Sequence, residues 1–227
     1  MSEEQRQPIP LKLGTFPNPE VFRNPILALE AAVEIKLYTG LTDLLSQLSQ
    51  NIELKGTWAN VCSGMGIYVV HAALLHGIER VVHIDRQPEL KHLFSQRMHF
   101  LLFSNEEIWG ENALPYEDRD NKVRQAVDRD FRVADIIELS QLAENSSVPT
   151  ENFNGGFLLN PSGGKAIAAS AVFLNYHLKR GSPVVLVEDK NEFPGTLGIF
   201  ENHGFSKTDF VNADTISGPR SLVLVKN

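Results

Sequence analysis

Apolar residues follow helical spacing in one part of the chain and short continuous runs in another. From Ile26 to Leu48 they recur every three or four residues, with an interruption near Gly40, which predicts a helical segment. After Gly56, short apolar runs alternate with stretches of helical spacing. This alternation is typical of βαβ units and predicts a mostly parallel sheet.

The pattern predicts seven strands, with helices between them. The first five are expected at residues 58–61, 81–84, 131–134, 157–159 and 183–187. The last two, at 208–211 and 221–225, are too close together for a helical crossover, so they should form an antiparallel hairpin. The predicted fold is therefore α/β, with a doubly wound, mostly parallel seven-stranded sheet and a C-terminal antiparallel hairpin.

Two regions differ in composition. Residues 1–55 begin with a proline-rich stretch that cannot form a continuous helix, so we predict an extended arm followed by a helical N-terminal extension. Residues 56–227 carry the sheet and form the main domain. Within it, the polar stretch 105–125 is expected to form a long surface excursion.

Composition narrows the classes of partner. The chain has 227 residues, 42% of them hydrophobic and 22% charged, which is ordinary for a soluble protein. Its net charge of −7 disfavours nucleic acid and anionic membranes as partners. The single cysteine, Cys62, excludes an intramolecular disulfide and a thiolate-rich zinc site, which fits a reducing cytosol. We expect a cytoplasmic protein without a secretory signal or membrane span, and its oligomeric state is left open.

A glycine-containing turn follows the first predicted strand, and an acid ends the second. Gly64 and Gly66 let the backbone approach a ligand closely, and Asp85 can accept hydrogen bonds from both ribose hydroxyls of a nucleoside. A tight turn with Asp85 capping the next helix is the simpler interpretation. Because parallel strands end at one edge, this turn, Asp85, Asp135 and Asn160 are predicted to line one crevice.

These segments resemble the motifs of the class I S-adenosylmethionine-dependent methyltransferases. Asn60-Val-Cys-Ser-Gly-Met-Gly66 is similar to the family's first motif, Val81-Val-His-Ile-Asp85 to its second and Phe131-Arg-Val-Ala-Asp135 to its third. Phe157-Leu-Leu-Asn-Pro161 stands in the place of the fourth, and the closing hairpin matches the last two strands of that fold. The resemblance spans about residues 56–227. It implies a methyltransferase that uses S-adenosylmethionine and acts on an unidentified small-molecule or protein acceptor.

The resemblance also implies which residues act. Its cofactor contacts would come from Asn60, Cys62, Ser63, Gly64, Gly66, Asp85, Arg86, Asp135, Ile136 and Asn160. Asn160 would also border the point of methyl transfer. Glu188, at the end of the fifth strand, is the candidate base, although a solvated acid at the start of a loop is an equally good interpretation. Asn60 stands where the family has an acid, and Cys62 where it has its first glycine.

Other interpretations stay open. An NAD(P)-dependent oxidoreductase would explain the turn and Asp85 but not the hairpin, and Val69 stands where its third glycine would fall. A non-catalytic, cofactor-binding member of the fold would explain Asn60 and Cys62. The Cys62 thiol itself is more typical of a small buried residue than of a nucleophile. His83 shares a strand face with Asp85, and a satisfied core histidine is its simpler interpretation.

Overall fold

The computed structural model describes residues 41–64, 66, 69–70, 73, 76–95, 130–145, 152–159, 161, 163–188, 193–211 and 220–227. These residues form one seven-stranded sheet with helices on both faces. The predictions for the proline-rich arm, the helix before residue 41, the excursion at 105–125 and the hairpin turn lie outside this part of the chain.

The sheet confirms the predicted architecture. Its strands are Thr57–Val61 (β1), Arg80–Asp85 (β2), Phe131–Val133 (β3), Gly155–Leu159 (β4), Pro183–Glu188 (β5), Phe205–Lys207 (β6) and Arg220–Lys226 (β7). They lie in the order β3-β2-β1-β4-β5-β7-β6. Strands β1 to β5 are parallel, whereas β7 runs antiparallel to both β5 and β6. The closing strands therefore form the expected antiparallel pair.

Three helices are described from end to end: Ile136–Glu144 (α1), Gly164–His177 (α2) and Phe193–Asn202 (α3). Residues 41–48 and 88–95 are also helical. The sequence pattern did not predict α1, because nine residues give only two and a half turns of periodicity. No helix in the described part of the chain has both the length and the apolarity needed to cross a bilayer.

The strand predicted at 208–211 is wrong. The strand before β7 is instead Phe205–Lys207, and residues 209–211 form a bend. Gly204 has a φ of +83°, so the chain leaves α3 and enters β6 at once. The Thr208 hydroxyl then donates to the Val223 carbonyl and accepts from the Phe210 N–H, a local turn that ends the ladder.

Each face of the sheet is covered by its own apolar cluster. On one face lie the helical residues 41–48 and 88–95, and Leu41, Leu44, Leu45 and Leu48 are all buried. On the other face lie α1, α2 and α3. Residues 41–48, which we assigned to the N-terminal extension, thus pack into the same core as the sheet.

Gly155 offers a test of this packing. A Cβ at Gly155, the first residue of β4, would lie 2.6 Å from the buried Trp58 ring, so Gly155→Ala should lower the free energy of unfolding by about 2 kcal/mol. In α3, a Cβ at Gly198 meets nothing within 4 Å, so Gly198→Ala should raise it by about 0.5–1 kcal/mol. Urea denaturation measures both, and equal effects would contradict the contact with Trp58.

Candidate functional site

The carboxyl ends of β1, β2 and β3 meet at one edge of the sheet. Beyond the end of β1, the Ser63 N–H donates to the Ile84 carbonyl at 3.1 Å. Beyond the end of β3, the Ala134 N–H donates to the Asp85 carbonyl at 2.9 Å. These bonds extend the pairing past the strand ends. The turn after β1, the Asp85 side chain and the start of α1 therefore share this edge.

The turn after β1 relies on left-handed backbone conformations. Gly64 and Gly66 have φ values of +56° and +67°. Cys62 has a φ of +52° and is the only non-glycine residue with positive φ in the described part of the chain. That conformation costs an L-residue roughly 1–2 kcal/mol. The chain thus keeps, at Cys62, the backbone shape that a glycine would adopt more easily.

Asp85 holds this turn and also begins the next helix. Its Oδ2 accepts from the Gly64 N–H at 3.0 Å, and its Oδ1 accepts from the Gln87 N–H at 3.0 Å. Burial raises the pKa of the Asp85 carboxyl, and the hydrogen bonds from Gln87 and Gly64 oppose that rise. The Arg86 amide also bonds this carboxyl, so three of its roughly four lone-pair positions are used and one is left for a ligand hydroxyl. The capping role and the ligand role are therefore compatible.

Asp135 caps α1 at the same edge. Its Oδ1 accepts from the Ile137 N–H at 2.8 Å. This N–H is one of the first amides of the helix, which have no carbonyl partner within it. The next residue, Ile136, is buried and packs against the sheet with Val61 and Ile84. Asp135 thus has a structural role in this chain whether or not a ligand also contacts it.

Cys62 is held as a neutral thiol. Its Sγ lies 3.8 Å from the Ser170 hydroxyl of α2. Burial raises the pKa of the thiol to about 11, with a further contribution from the Asp85 and Asp135 carboxylates, while Ser170 and Arg86 oppose the rise. A protonated thiol is a poor nucleophile, which supports the interpretation of Cys62 as a small packing residue, here half-buried. Both carboxylates act on this one thiol, so Asp85 and Asp135 each lie on the Cys62 side of the sheet edge.

Asn60 lies beneath the turn, within the core. It pairs in register with His83 of β2, and the Asn60 Nδ2 lies 3.2 Å from the His83 Nδ1. Both residues are fully buried, and the His83 ring packs against Phe94 and Phe131. Burial lowers the pKa of His83 to about 3. Sequence reasoning missed this pair, although both residues stand two positions before a motif residue, Cys62 or Asp85.

The other expected site residues are placed as follows. The Ser63 hydroxyl donates to the Gly64 carbonyl at 3.3 Å, and Arg86 directly follows β2. Glu188 is the last residue of β5 and pairs in register with Arg220 of β7. Asn160 lies outside the described residues. The ligand contacts assigned to these residues from the sequence stay predictions.

Comparisons with known proteins identify the fold. The sequence matches no family model and no curated protein. The methyltransferase partner of the Trm112 activator from Haloferax volcanii is a similar solved structure, with a TM-score of 0.54, 12% identity and coverage of 88% of this chain and 94% of that one. Ribosomal protein L11 methylase from Lactobacillus delbrueckii subsp. bulgaricus has a TM-score of 0.51 and 15% identity over 82% and 78% of the two chains. This chain has the class I methyltransferase fold.

The same fold also carries other chemistry. The [4+2]-cyclase SpnF matches this chain with a TM-score of 0.51 and 13% identity, over 82% of this chain and 81% of the cyclase. At such identities the likeness establishes the class I methyltransferase fold alone. Which reaction the chain carries out therefore depends on the residues at this edge of its sheet.

The Cys62 thiol can be tested directly, because it is the only thiol in the sequence. With its pKa raised to about 11 from its ordinary value of 9.0, the thiolate fraction at pH 8 should fall about a hundredfold. Alkylation of the native protein should therefore be at least that much slower than alkylation of the chain in guanidinium. Equal rates would show that the Cys62 thiol is exposed and ionises as it does in the unfolded chain.

The buried His83 should make the protein sensitive to acid. Burial lowers its pKa from the ordinary 6.5 of the unfolded chain to about 3 in the fold, so the unfolded state binds the extra proton. Stability should fall as the pH drops through 6.5, by about 2 kcal/mol between pH 7 and pH 5. Urea unfolding at both pH values measures this difference. His83→Phe should lose most of it, and the remainder includes His76, whose pKa burial also lowers. A variant with the native pH dependence would contradict the burial of a neutral imidazole.

Proposed function

We propose that the protein is an S-adenosylmethionine-dependent methyltransferase that acts on a small-molecule or protein acceptor. The observation that carries this proposal is the Asp85 carboxylate at the end of β2, bonded to the Gly64 amide of the glycine turn and able to accept a further donor. The strand order adds support, because β7 lies antiparallel between β5 and β6. The usual dinucleotide-binding sheet instead continues in parallel with the order 3-2-1-4-5-6.

The residues at this edge fit an adenosine cofactor. The Asp85 carboxylate can accept a ribose hydroxyl, and glycines at 64 and 66 keep side chains away from the space above the turn. When bound, S-adenosylmethionine would supply a methyl group on a sulfonium, which is already activated for transfer. The chain therefore needs to bind and orient its ligands more than to activate the methyl carbon.

The charges at this edge favour a cation over an anion. Asp85 and Asp135 both act on the Cys62 thiol and oppose its ionisation, so the local potential near the turn is negative. Arg86 offsets this only in part. A sulfonium gains from such surroundings, whereas the pyrophosphate of a dinucleotide would be repelled. This difference supports the methyltransferase over the nicotinamide-dependent oxidoreductase.

The acceptor would bind beside the ends of β4 and β5. We propose that Asn160, directly after β4, borders the point of transfer and that Glu188, at the end of β5, accepts a proton from an oxygen or ammonium acceptor. Holding that nucleophile in line with the methyl carbon is the main task of these residues. The net charge of −7 favours a small molecule or a basic protein over a nucleic acid as acceptor.

A cofactor-binding protein without methyl transfer is the alternative function. Asn60, which replaces the acid of the family's first motif, is buried against His83 and does not lie on the surface of the edge. The [4+2]-cyclase SpnF, whose structure is similar, gives an example of this fold with another reaction. A screen of acceptors with a labelled methyl group separates the two functions, because any turnover excludes the non-catalytic one.

Calorimetry tests the proposed cofactor. The native protein should bind S-adenosylmethionine and its demethylated product, and Asp85→Ala should weaken both at least thirtyfold, because charged hydrogen bonds of about 1.5–3 kcal/mol each are lost. The matched control is Asp43→Ala, which removes an exposed acid from the helical residues 41–48 and should bind like the native protein.

Absence of heat with both ligands in the folded native protein would remove the proposal. Binding of NAD alone would favour the oxidoreductase instead. Equal loss of affinity in Asp43→Ala would show that overall charge, and not the Asp85 carboxylate, accounts for binding.

A further inference from the structure

A polar pair interrupts an apolar row that crosses the sheet at one level. Strand register places the pair Asn60 and His83 in this row, which reads Phe131, His83, Asn60, Phe157, Val185 and Val223. The four other residues of the row are buried members of the apolar cluster on that face. Asn60 and His83 are equally buried, so two amide and imidazole groups lie in surroundings that otherwise suit hydrocarbon.

The pair satisfies only half of its own hydrogen-bonding capacity. The amide of Asn60 and the Nδ1 of His83 bond to each other at 3.2 Å. The Asn60 Oδ1 and the His83 Nε2 have no partner among the described residues. Each buried polar atom left in this state costs about 1–3 kcal/mol, so two apolar side chains of similar shape would be at least as stable here. Packing alone therefore does not account for the pair.

The His83 ring lies directly against the glycine turn. A Cβ added to Gly66 would stand 2.2 Å from the Nδ1 and 2.5 Å from the Cε1 of this ring. The backbone of Gly66, with a φ of +67°, thus rests on the edge of the imidazole that Asn60 bonds. Rotation of the ring away from Asn60 would move the surface on which Gly66 sits.

We propose that Asn60 and His83 act as positioning residues for the glycine turn: Asn60 fixes the orientation of the His83 ring, and the ring fixes the position of Gly66 and hence of the turn that binds the cofactor. The inference rests on the proposed function for the ligand, but the positioning of the turn exists without it. Burial keeps the imidazole neutral, and because the Asn60 Nδ2 can only donate, the ring proton lies on Nε2 and the Nδ1 accepts.

Three variants separate positioning from packing. Asn60→Leu removes the bond that orients the ring, and Asn60→Leu combined with His83→Phe also removes both unpartnered atoms. Val223→Ala is the matched control, since it opens a cavity in the same row on β7, which three strands separate from His83 on β2. For each, urea denaturation gives stability, calorimetry gives affinity for S-adenosylmethionine and its product, and amide hydrogen exchange of the ligand-free protein gives the protection of Gly64 and Leu224.

The double variant should unfold at the same urea concentration as the native protein or at a higher one, yet bind the cofactor at least tenfold more weakly. Asn60→Leu should raise the exchange rate of the Gly64 amide, which donates to Asp85, severalfold relative to Leu224. Val223→Ala should unfold at lower urea and keep the native affinity. Weaker cofactor binding and faster Gly64 exchange in variants that stay folded would show that the pair positions the turn.

A double variant that unfolds earlier than the native protein would show that the pair serves packing and would overturn the proposal. So would native affinity in the folded pair variants, or an equal loss of affinity in Val223→Ala. If the native protein binds neither ligand, the proposed function fails, and Gly64 exchange then decides the positioning by itself. An unchanged Gly64 rate in Asn60→Leu would overturn the positioning.

Discussion

The in-register pairing of β1 with β2 is the constraint on which the candidate site depends. It sets Asn60 beside His83 and Val61 beside Ile84, so that the Ser63 amide reaches the Ile84 carbonyl one step later. The turn and Asp85 then meet without any further adjustment. A slip of one residue would turn the side chains of one strand to the other face and separate the acid from the glycines. Apolar packing on both faces prevents such a slip, so the two cores maintain the site.

Electrostatics and packing act together at this edge. Asp85 is half-buried, and its pKa rises with burial, yet the backbone amides of Gln87, Gly64 and Arg86 stabilise its charged form. Cys62 stays protonated next to the two carboxylates, so it adds polarisable contact without adding another negative charge. Below the turn, Asn60 stands in the position of the acid of the family's first motif. Its neutral amide contacts the neutral imidazole of His83. The negative potential is thus concentrated on Asp85 and Asp135, where a cationic ligand can use it.

Hydrophobic spacing predicted where the strands lie and where they end. It did not predict which residues of neighbouring strands stand opposite each other. Apolar runs located six of the seven strands, and parallel pairing required their ends to converge, which brought Asp85 and Asp135 to one edge. The strand before β7 was displaced because Gly204 and Thr208 set its limits, and local turn chemistry is invisible to hydrophobic spacing. The contact of Asn60 with His83 was missed for a related reason. This contact depends on the register between β1 and β2. Alternation of residues within a single strand does not predict that register.

Cys62 and Asn60, the two residues that depart from the first motif, keep the backbone conformation of the turn but not the charge of the motif. Cys62 adopts a φ of +52° at a cost of roughly 1–2 kcal/mol, and the burial of its side chain offsets part of that strain. Asn60 gives up a charge but keeps a polar contact to the residue that supports Gly66. A turn without a function would need neither the strained backbone of Cys62 nor the unpartnered buried atoms of Asn60 and His83. Their coincidence beneath Gly64 and Gly66 argues that the turn itself is the functional element.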